Sequence, residues 1–289
     1  MGDVGGRGLD EGCIAAMYRD QLKCMRGEAL DSDTDVRCME CREQARTEAA
    51  RNASLVALRG SVPHVGELYG QVGLPRVVLV GLEDPYHPDA VPEAPTSYLE
   101  AKEARDHSYF FKRHGDIKRN PHRAGEWVFA KAALALLCPG MPVDNPFKYI
   151  ATLNGHLCGL KKGDTGTASV RLGHCPVAWR LVAALKPHLV VVEGDQRVQA
   201  EWCIRNGLKW ECGPVHEVRV VLDGYRKPTA TVEMMECKAP GRVVVLFALH
   251  PSNRTKPWCS NGKSHPYVHH VLLGPAVQAA LGALEIARK

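Results

Sequence analysis

The chain has 289 residues, which is long enough to bury the core of one large domain. Its hydrophobic content of 45% and charged content of 24% are typical of a soluble globular protein. No apolar run approaches the ~20 residues that cross a bilayer, and the amino terminus lacks the features of a signal peptide. We therefore expect a cytoplasmic protein with no membrane partner. The net charge of +5 is compatible with a polyanionic partner but does not identify one.

The predicted elements begin with residues 10–58, which are mostly polar and helix-forming. The first core strand is Val77–Gly81, an apolar run that ends at a glycine. A polar stretch rich in proline, histidine and charge occupies residues 82–122, and loops of this length inside a domain are commonly functional. The next segment, Gly125–Cys138, has the apolar spacing of a helix.

The rest of the chain is predicted to alternate strands and helices. Further core strands are predicted at Phe147–Asn154, His188–Gly194 and Arg242–Leu249. Helices are predicted at Cys175–Pro187, near Asp195–Asn206 and over Tyr267–Arg288. A β-hairpin is predicted over Val215–Met234, with its turn at Asp223-Gly224.

Four core strands linked largely through helices predict an α/β fold. The expected architecture is a mostly parallel four-stranded sheet with helices on both faces, to which the hairpin is added. Ligands of open α/β sheets bind at the carboxyl ends of the strands. Those ends read GLEDPYH, LNGHLC, EGDQ and HPSNR, so polar side chains are predicted to collect at one edge.

The chain contains eleven cysteines, which is many for a cytoplasmic protein and favours metal binding or redox chemistry. Cys38 and Cys41 form a CMEC pair whose thiolates can reach one metal centre, Cys158 follows the second core strand, and Cys175 begins a helix. Spacing alone does not decide whether these four thiolates bind a [4Fe–4S] cluster or a zinc ion. The remaining cysteines are predicted to be isolated, with Cys24 as a reserve ligand: Cys13, Cys24, Cys138, Cys203, Cys212, Cys237 and Cys259.

Several blocks of the chain, taken in order, resemble the uracil-DNA glycosylase superfamily, most closely its iron–sulfur (family four) branch. They are CMEC, VVLVGLEDP, HRAGEWVFAKAAL, IATLNGHLC, CPVAWRLVAALKPHLVVVEGDQ and ALHPSNR. The DPYH sequence resembles the first catalytic motif of family one. The matches cover residues 35–285 in patches. The resemblance implies residues 1–34 as an amino-terminal helical extension and residues 35–289 as a single domain with a three-layer α/β/α sandwich.

The resemblance also implies a structural [4Fe–4S] cluster on Cys38, Cys41, Cys158 and Cys175, with zinc as the less favoured alternative, and DNA as the partner. The implied activity is that of a monofunctional DNA glycosylase, which hydrolyses the N-glycosidic bond of a nucleotide flipped out of the duplex. No lysine stands out as a Schiff-base nucleophile, so no lyase step is expected.

Cleavage of that bond builds positive charge on the sugar and negative charge on the departing base. A carboxylate can stabilise the sugar cation and orient water, and a donor can stabilise the base anion. The resemblance assigns the first role to Asp84, with Glu83 as its rival, and the second to His250. The alternative interpretation is that Asp84 and Glu83 are solvated side chains in a turn at the end of a strand.

The resemblance implies two further groups of site residues. Asn154 would bind the pyrimidine edge, because an amide offers both a donor and an acceptor, and Tyr86 would wall the pocket. His87, Phe110 and Phe111 are further candidates for the base pocket. The residues expected to contact DNA are Arg123, Ser252, Asn253 and Arg254.

Two departures from the family pattern bear on the substrate. GLEDP carries one residue more between glycine and proline than the usual motif, and Asn120 and Pro121 stand where the family has a base-stacking phenylalanine. A reshaped pocket could take a modified pyrimidine, such as glucosylated hydroxymethylcytosine, in defence against phage DNA instead of uracil in base-excision repair. Two other classes stay open: a catalytically silent iron–sulfur nucleic-acid-binding protein of the same fold, and a zinc-stabilised α/β protein unrelated to DNA.

Overall fold

The computed structural model describes residues 59–60, 63–81, 121–155, 158–159, 176–194, 197–221, 229–248, 259–260, 263–264 and 274–284. The strands are β1 (Arg59–Gly60), β2 (His64–Val65), β3 (Val77–Gly81), β4 (Ile150–Asn154), β5 (Cys158–Gly159), β6 (Leu189–Glu193), β7 (Glu211–Cys212), β8 (His216–Val221), β9 (Thr229–Ala239), β10 (Gly241–Ala248), β11 (Cys259–Ser260) and β12 (Lys263–Ser264). The helices are α1 (Pro121–Leu137), α2 (Pro176–Ala184), α3 (Arg197–Trp202) and α4 (Pro275–Gly282). The predicted extension over residues 1–34 lies outside the described residues.

Within the described residues, the main sheet has the strand order β2-β4-β3-β6-β10-β9-β7, and β8 also pairs with β9. The four central strands β4, β3, β6 and β10 are parallel to one another. The outer strands are antiparallel to their neighbours. The fold is therefore mixed α/β, and the four predicted core strands are confirmed as a parallel centre. The prediction of a mostly parallel four-stranded sheet is wrong, because the described sheet has eight strands and its outer pairings are antiparallel.

The hairpin belongs to this main sheet and is more than an appendage. Its strands β8 and β9 pair in antiparallel fashion as predicted, from Val221 opposite Thr229 to His216 opposite Met234. However, β9 continues to Ala239 and pairs along seven residues with β10. The other side of β9 is shared by β8 and, further along, by β7. The prediction ended β9 at Met234 and so missed the pairing that joins the hairpin to the core.

The central strands are buried on both faces, which explains their unbroken apolar sequences. Alternate residues of each strand enter two separate core clusters. Val78 and Val80 of β3 pack in one cluster with side chains of α2 and α3, and Val77 and Leu79 pack in the other with side chains of α1 and α4. Helices therefore contribute to the core on both faces of the sheet.

Helix α1 shows how the sequence positions one of these elements. Its buried residues Phe129, Ala130, Ala133, Leu134 and Leu137 follow the three- and four-residue spacing of one helix face. Full burial of each large side chain contributes about 1.5–3 kcal/mol. The helix begins at Pro121, four residues before the predicted start, because proline is well tolerated in a first turn.

Helices are also present within the three other predicted helical segments. α2 ends at Ala184 and its last turn closes through the hydrogen bond from Lys186 N to the Ala183 carbonyl, just before Pro187. α3 continues into a π-helical turn over Cys203–Gly207. No helix among the described residues is long and apolar enough to cross a membrane.

Candidate functional site at the carboxyl edge of the sheet

The parallel centre of the sheet brings four strand ends to one edge. In the β3–β4 ladder Gly81 lies opposite Asn154, and in the β6–β10 ladder Glu193 lies opposite Ala248. Because Val80 pairs with Val192, Gly81 and Glu193 occupy the same row. This row, from Asn154 through Gly81 and Glu193 to Ala248, is called the carboxyl-edge row below.

Asn154 is the predicted base-binding residue whose backbone position the structure describes. It is the last residue of β4, and the next residue, Gly155, donates its N–H to the Gly81 carbonyl at 2.9 Å. That bond fixes the point at which the chain leaves the sheet. Asn154 is thereby held next to β3, the strand that precedes Glu83 and Asp84, which are called the acidic motif below.

Glu193 is a residue of this edge that sequence reasoning did not select. It is 0% exposed, and its strand neighbours Leu189 and Val191 pack in the cluster formed with α1 and α4. Because side chains alternate along a strand, Glu193 is on that same face of the sheet. A fully buried carboxylate is costly unless it interacts with polar groups, so Glu193 is a candidate polar residue of the carboxyl-edge row. The signal in the sequence was a glutamate closing the apolar run LVVV.

The glycine after Glu193 is required by the turn that ends the strand. Gly194 has a φ of 81°, which residues other than glycine rarely adopt. Its N–H donates to the Ala248 carbonyl at 2.8 Å. The chain then enters α3, where Arg197 forms an ion pair of 2.6 Å with Glu233 of β9. This pair adds a cation and a carboxylate near the same edge.

Most of the other predicted site residues lie outside the described residues. Arg123 is described in its backbone only, in the first turn of α1. The acidic motif begins two residues after Gly81. The predicted site residues that lie outside the description are Glu83, Asp84, Tyr86, His87, Phe110, Phe111, His250, Ser252, Asn253 and Arg254.

The predicted cysteine ligands are described at one position. Cys158 is in β5, opposite Gly60 of β1, and it follows Asn154 by four residues. Cys38, Cys41 and Cys175 lie outside the description. Among the described residues there is no group of three or more histidine, cysteine or acidic side chains that could hold a metal ion.

The prediction that Cys212 and Cys237 are isolated is wrong, because they form a disulfide. The register of β7 and β9 places the two residues directly opposite each other, with their Cα atoms 4.0 Å apart. They are 25 residues apart in the chain, so the pairing depends on strand register that spacing does not reveal. Cys138 and Cys203, which were also predicted to be isolated, form no disulfide with another described cysteine.

Two titratable groups with shifted pKa values, those of Tyr69 and His188, lie towards the opposite, amino-terminal edge of the sheet. His188 precedes β6, and its Nδ1 accepts a hydrogen bond of 3.0 Å from the backbone N–H of Arg76. Burial, followed by the nearby Arg76 charge, lowers the pKa of His188 to about 4. Burial also raises the pKa of Tyr69, whose hydroxyl donates to the Leu185 carbonyl at 2.9 Å. Both side chains are tied to backbone groups, so their role is to hold this edge together.

Comparison of the chain with protein-family models, curated proteins and solved structures found no match.

Proposed function

We propose that the protein is a monofunctional DNA glycosylase that hydrolyses the N-glycosidic bond of a flipped uracil or modified pyrimidine and leaves an abasic site. One observation carries the proposal: the pairing of Asn154 with Gly81 in the carboxyl-edge row. It brings the residue expected to bind the base next to the strand end from which Glu83 and Asp84 follow. Base recognition and sugar-side catalysis would then come from Asn154 and from the residues that follow the neighbouring strand β3.

The proposed mechanism divides the work between the two sides of the scissile bond. The carboxylate of Asp84, or of Glu83 in its place, stabilises the developing sugar cation and orients the attacking water. His250, which follows the strand end of β10, donates to the base as negative charge develops on it. Asn154 fixes the pyrimidine edge, and Tyr86 with His87, Phe110 and Phe111 shapes the pocket. Arg123, Ser252, Asn253 and Arg254 contact the DNA backbone.

Four thiolates form the donor set that suits an iron–sulfur cluster. The proposal for Cys158 is supported by its place in the chain, four residues after Asn154 of the carboxyl-edge row. With Cys38, Cys41 and Cys175 it would hold a structural [4Fe–4S] cluster, which fixes loops and takes no part in hydrolysis. The finer architecture that we propose is a three-layer α/β/α sandwich, supported by the helix contacts on both sheet faces.

The experiment that tests the proposal is a substrate panel. Duplexes that carry uracil, hydroxymethylcytosine or glucosylated hydroxymethylcytosine are incubated with the protein, and abasic sites are revealed with alkali. We expect cleavage after alkali for at least one modified base and no strand break before it, because no lyase step is proposed. A complete lack of abasic sites on all three duplexes would overturn the proposal, and retained DNA binding would then favour the silent binding protein.

The role of the acids is tested by Asp84→Asn and Glu83→Gln. Loss of a group that acts on water in the transition state lowers the rate by about 10²–10⁴-fold. We expect that loss for one of the two variants, with DNA binding retained. Equal loss of binding and excision would show that the acid is structural.

A further inference from the structure

A groove at the amino-terminal edge of the sheet contains the disulfide in its wall. The groove has a volume of about 1430 Å³ and lies where β3, β6 and β10 begin. Both Cys212 and Cys237 line it. It is at the opposite edge from the proposed glycosylase site, and it is called the amino-edge groove below.

Most of the charged side chains around the amino-edge groove are cationic. Its charged lining consists of Arg76, Lys186, Lys209, Lys238 and Arg242 against Glu211 and Glu236. Glu236 is paired with Arg242, and Glu211 lies opposite Lys238 in the β7–β9 ladder. The lysines at 186 and 209 are exposed and form no salt bridge with another described residue. His188, the remaining titratable group of the lining, is neutral near pH 7 because its pKa is about 4.

The two cysteines of the disulfide differ in solvent exposure. Cys237 is 1% exposed and packs in the core cluster with α2 and α3, whereas Cys212 is half-buried. A thiolate attacks a disulfide at a sulfur that it can reach. Cys212 is the more exposed residue of the pair, so we expect an incoming thiolate to reach its sulfur first.

Arg205 holds the strand that carries Cys212 in place independently of the disulfide. Its Nη1 donates to the Cys212 carbonyl at 2.8 Å and its Nη2 to the Gly213 carbonyl at 2.6 Å. Its Nε donates to Glu201 at 2.9 Å, which fixes the guanidinium. The Gly213 N–H also bonds to the Glu236 carbonyl at 2.9 Å. These contacts keep Cys212 opposite Cys237 when the covalent link opens, so the link can form again.

We propose that the Cys212–Cys237 disulfide is a thiol-exchange site and that the amino-edge groove admits a small anionic thiol to it. The incoming thiolate attacks Sγ of Cys212 and forms a mixed disulfide there. The bond to Sγ of Cys237 breaks, and its electron pair leaves on the Cys237 thiolate, which takes a proton from water. Attack by a second thiol, or by Cys237, releases the adduct. This exchange does not depend on the proposed glycosylase activity.

The test uses three thiols of similar size and different charge on the protein purified without reductant. They are 2-mercaptoethanesulfonate, which is anionic, 2-mercaptoethanol, which is neutral, and cysteamine, which is cationic. Free cysteines are first blocked with N-ethylmaleimide, and the Cys212 and Cys237 peptides are then followed by mass spectrometry. Rates are compared after correction for the thiolate fraction of each reagent.

At low salt we expect the anionic thiol to react several-fold faster than the cationic one, with the first adduct on Cys212. The difference should shrink at high salt, because the attraction is screened. The double variant Lys186→Gln/Lys209→Gln should lose most of the preference, whereas Lys131→Gln, a change of an exposed lysine on α1, should keep it. A cationic thiol that reacts as fast as the anionic one, a first adduct on Cys237, or no reaction in the folded protein would each overturn the proposal.

Discussion

His188 is a buried histidine whose imidazole is neutral near pH 7, because its pKa is about 4. Its buried imidazole accepts a hydrogen bond from the Arg76 N–H, and its own backbone N–H donates to the Arg76 carbonyl at 2.8 Å. The two contacts join the chain before β3 to the chain before β6. The neutral form of the ring is the one that can accept, so protonation breaks the arrangement.

This residue predicts a loss of stability in acid. The pKa of His188 is about 4 in the folded protein and 6.5 ordinarily, so the unfolded state binds the proton first as pH falls. The contribution is complete above pH 6.5 and is lost as pH falls towards 4, by up to about 3 kcal/mol. The variant His188→Asn retains a hydrogen-bond acceptor but does not titrate. Urea unfolding of the wild type and of this variant at pH 7.5, 5.5 and 4.5 measures the pH-dependent contribution of His188 to the free energy of unfolding. An identical pH slope for the two proteins would contradict the prediction.

At the same scale, sequence reasoning recognised both Asn154 and Glu193 as polar strand ends but selected only Asn154 as a site residue. The difference has a physical reason. Asn154 stands next to a cysteine-bearing motif, whereas Glu193 closes an apolar run and reads as the solvated end of a strand. Its complete burial could not be predicted because it depends on tertiary structure, in which α1 and α4 pack on the same face of the sheet.

Gly66 shows how two elements approach each other so closely that only a glycine fits between them. A Cβ atom at this position would overlap the backbone carbonyl groups of Phe147 and Lys148, at the 3₁₀ turn before β4. The Gly66 N–H bonds to the Ile150 carbonyl at 3.0 Å, so the segment cannot move aside without losing that bond. The contact places β2 at the edge of the sheet.

We therefore expect Gly66→Ala to lower the free energy of unfolding by about 1–3 kcal/mol, as overpacking against fixed atoms does. Gly207→Ala is the matched control, because a Cβ there meets no atom within 4 Å. The control should change the free energy of unfolding by less than about 0.5 kcal/mol. Urea titrations of the two variants and the wild type make the comparison, and equal losses for both would refute the packing explanation.

The four parallel strands were predictable because their apolar runs are continuous and bounded by polar residues, as in β3 and β6. The two-residue strands β1, β2, β5, β7, β11 and β12 were not, since runs this short carry no periodicity. The reach of β9 to Ala239 and the disulfide both depend on register between distant segments. The sequence thus predicts which elements exist better than how the outer ones pair.

For the whole molecule, the proposed cofactor makes a further prediction. Protein purified without oxygen should show the absorbance at about 400 nm that is typical of a thiolate-bound [4Fe–4S] cluster. Cys158→Ser should remove most of it, whereas Cys138→Ser, a change of a free cysteine in the described chain, should not. Iron and zinc analysis of the same samples decides between the two metals, and stoichiometric zinc without iron would contradict the cluster.

The separation of the two sheet edges also predicts how function is distributed over the molecule. The carboxyl-edge row is proposed to bind the flipped base, and the amino-edge groove is proposed to exchange thiols. Asn154→Ala should therefore impair excision without changing thiol reactivity at Cys212. The Lys186→Gln/Lys209→Gln variant should show the reverse pattern in the same two assays.

The central claim is that the carboxyl edge of the sheet cleaves a base from DNA, and the most direct measurement is release of the free base. Single-turnover reactions on the three modified duplexes are followed by mass spectrometry of the released base, with DNA binding measured in parallel. The wild type should release one of the bases, and Asp84→Asn or Glu83→Gln should slow release by about 100-fold or more with binding retained. Release of no base from any of the duplexes by cluster-loaded wild-type protein that binds them would contradict the account.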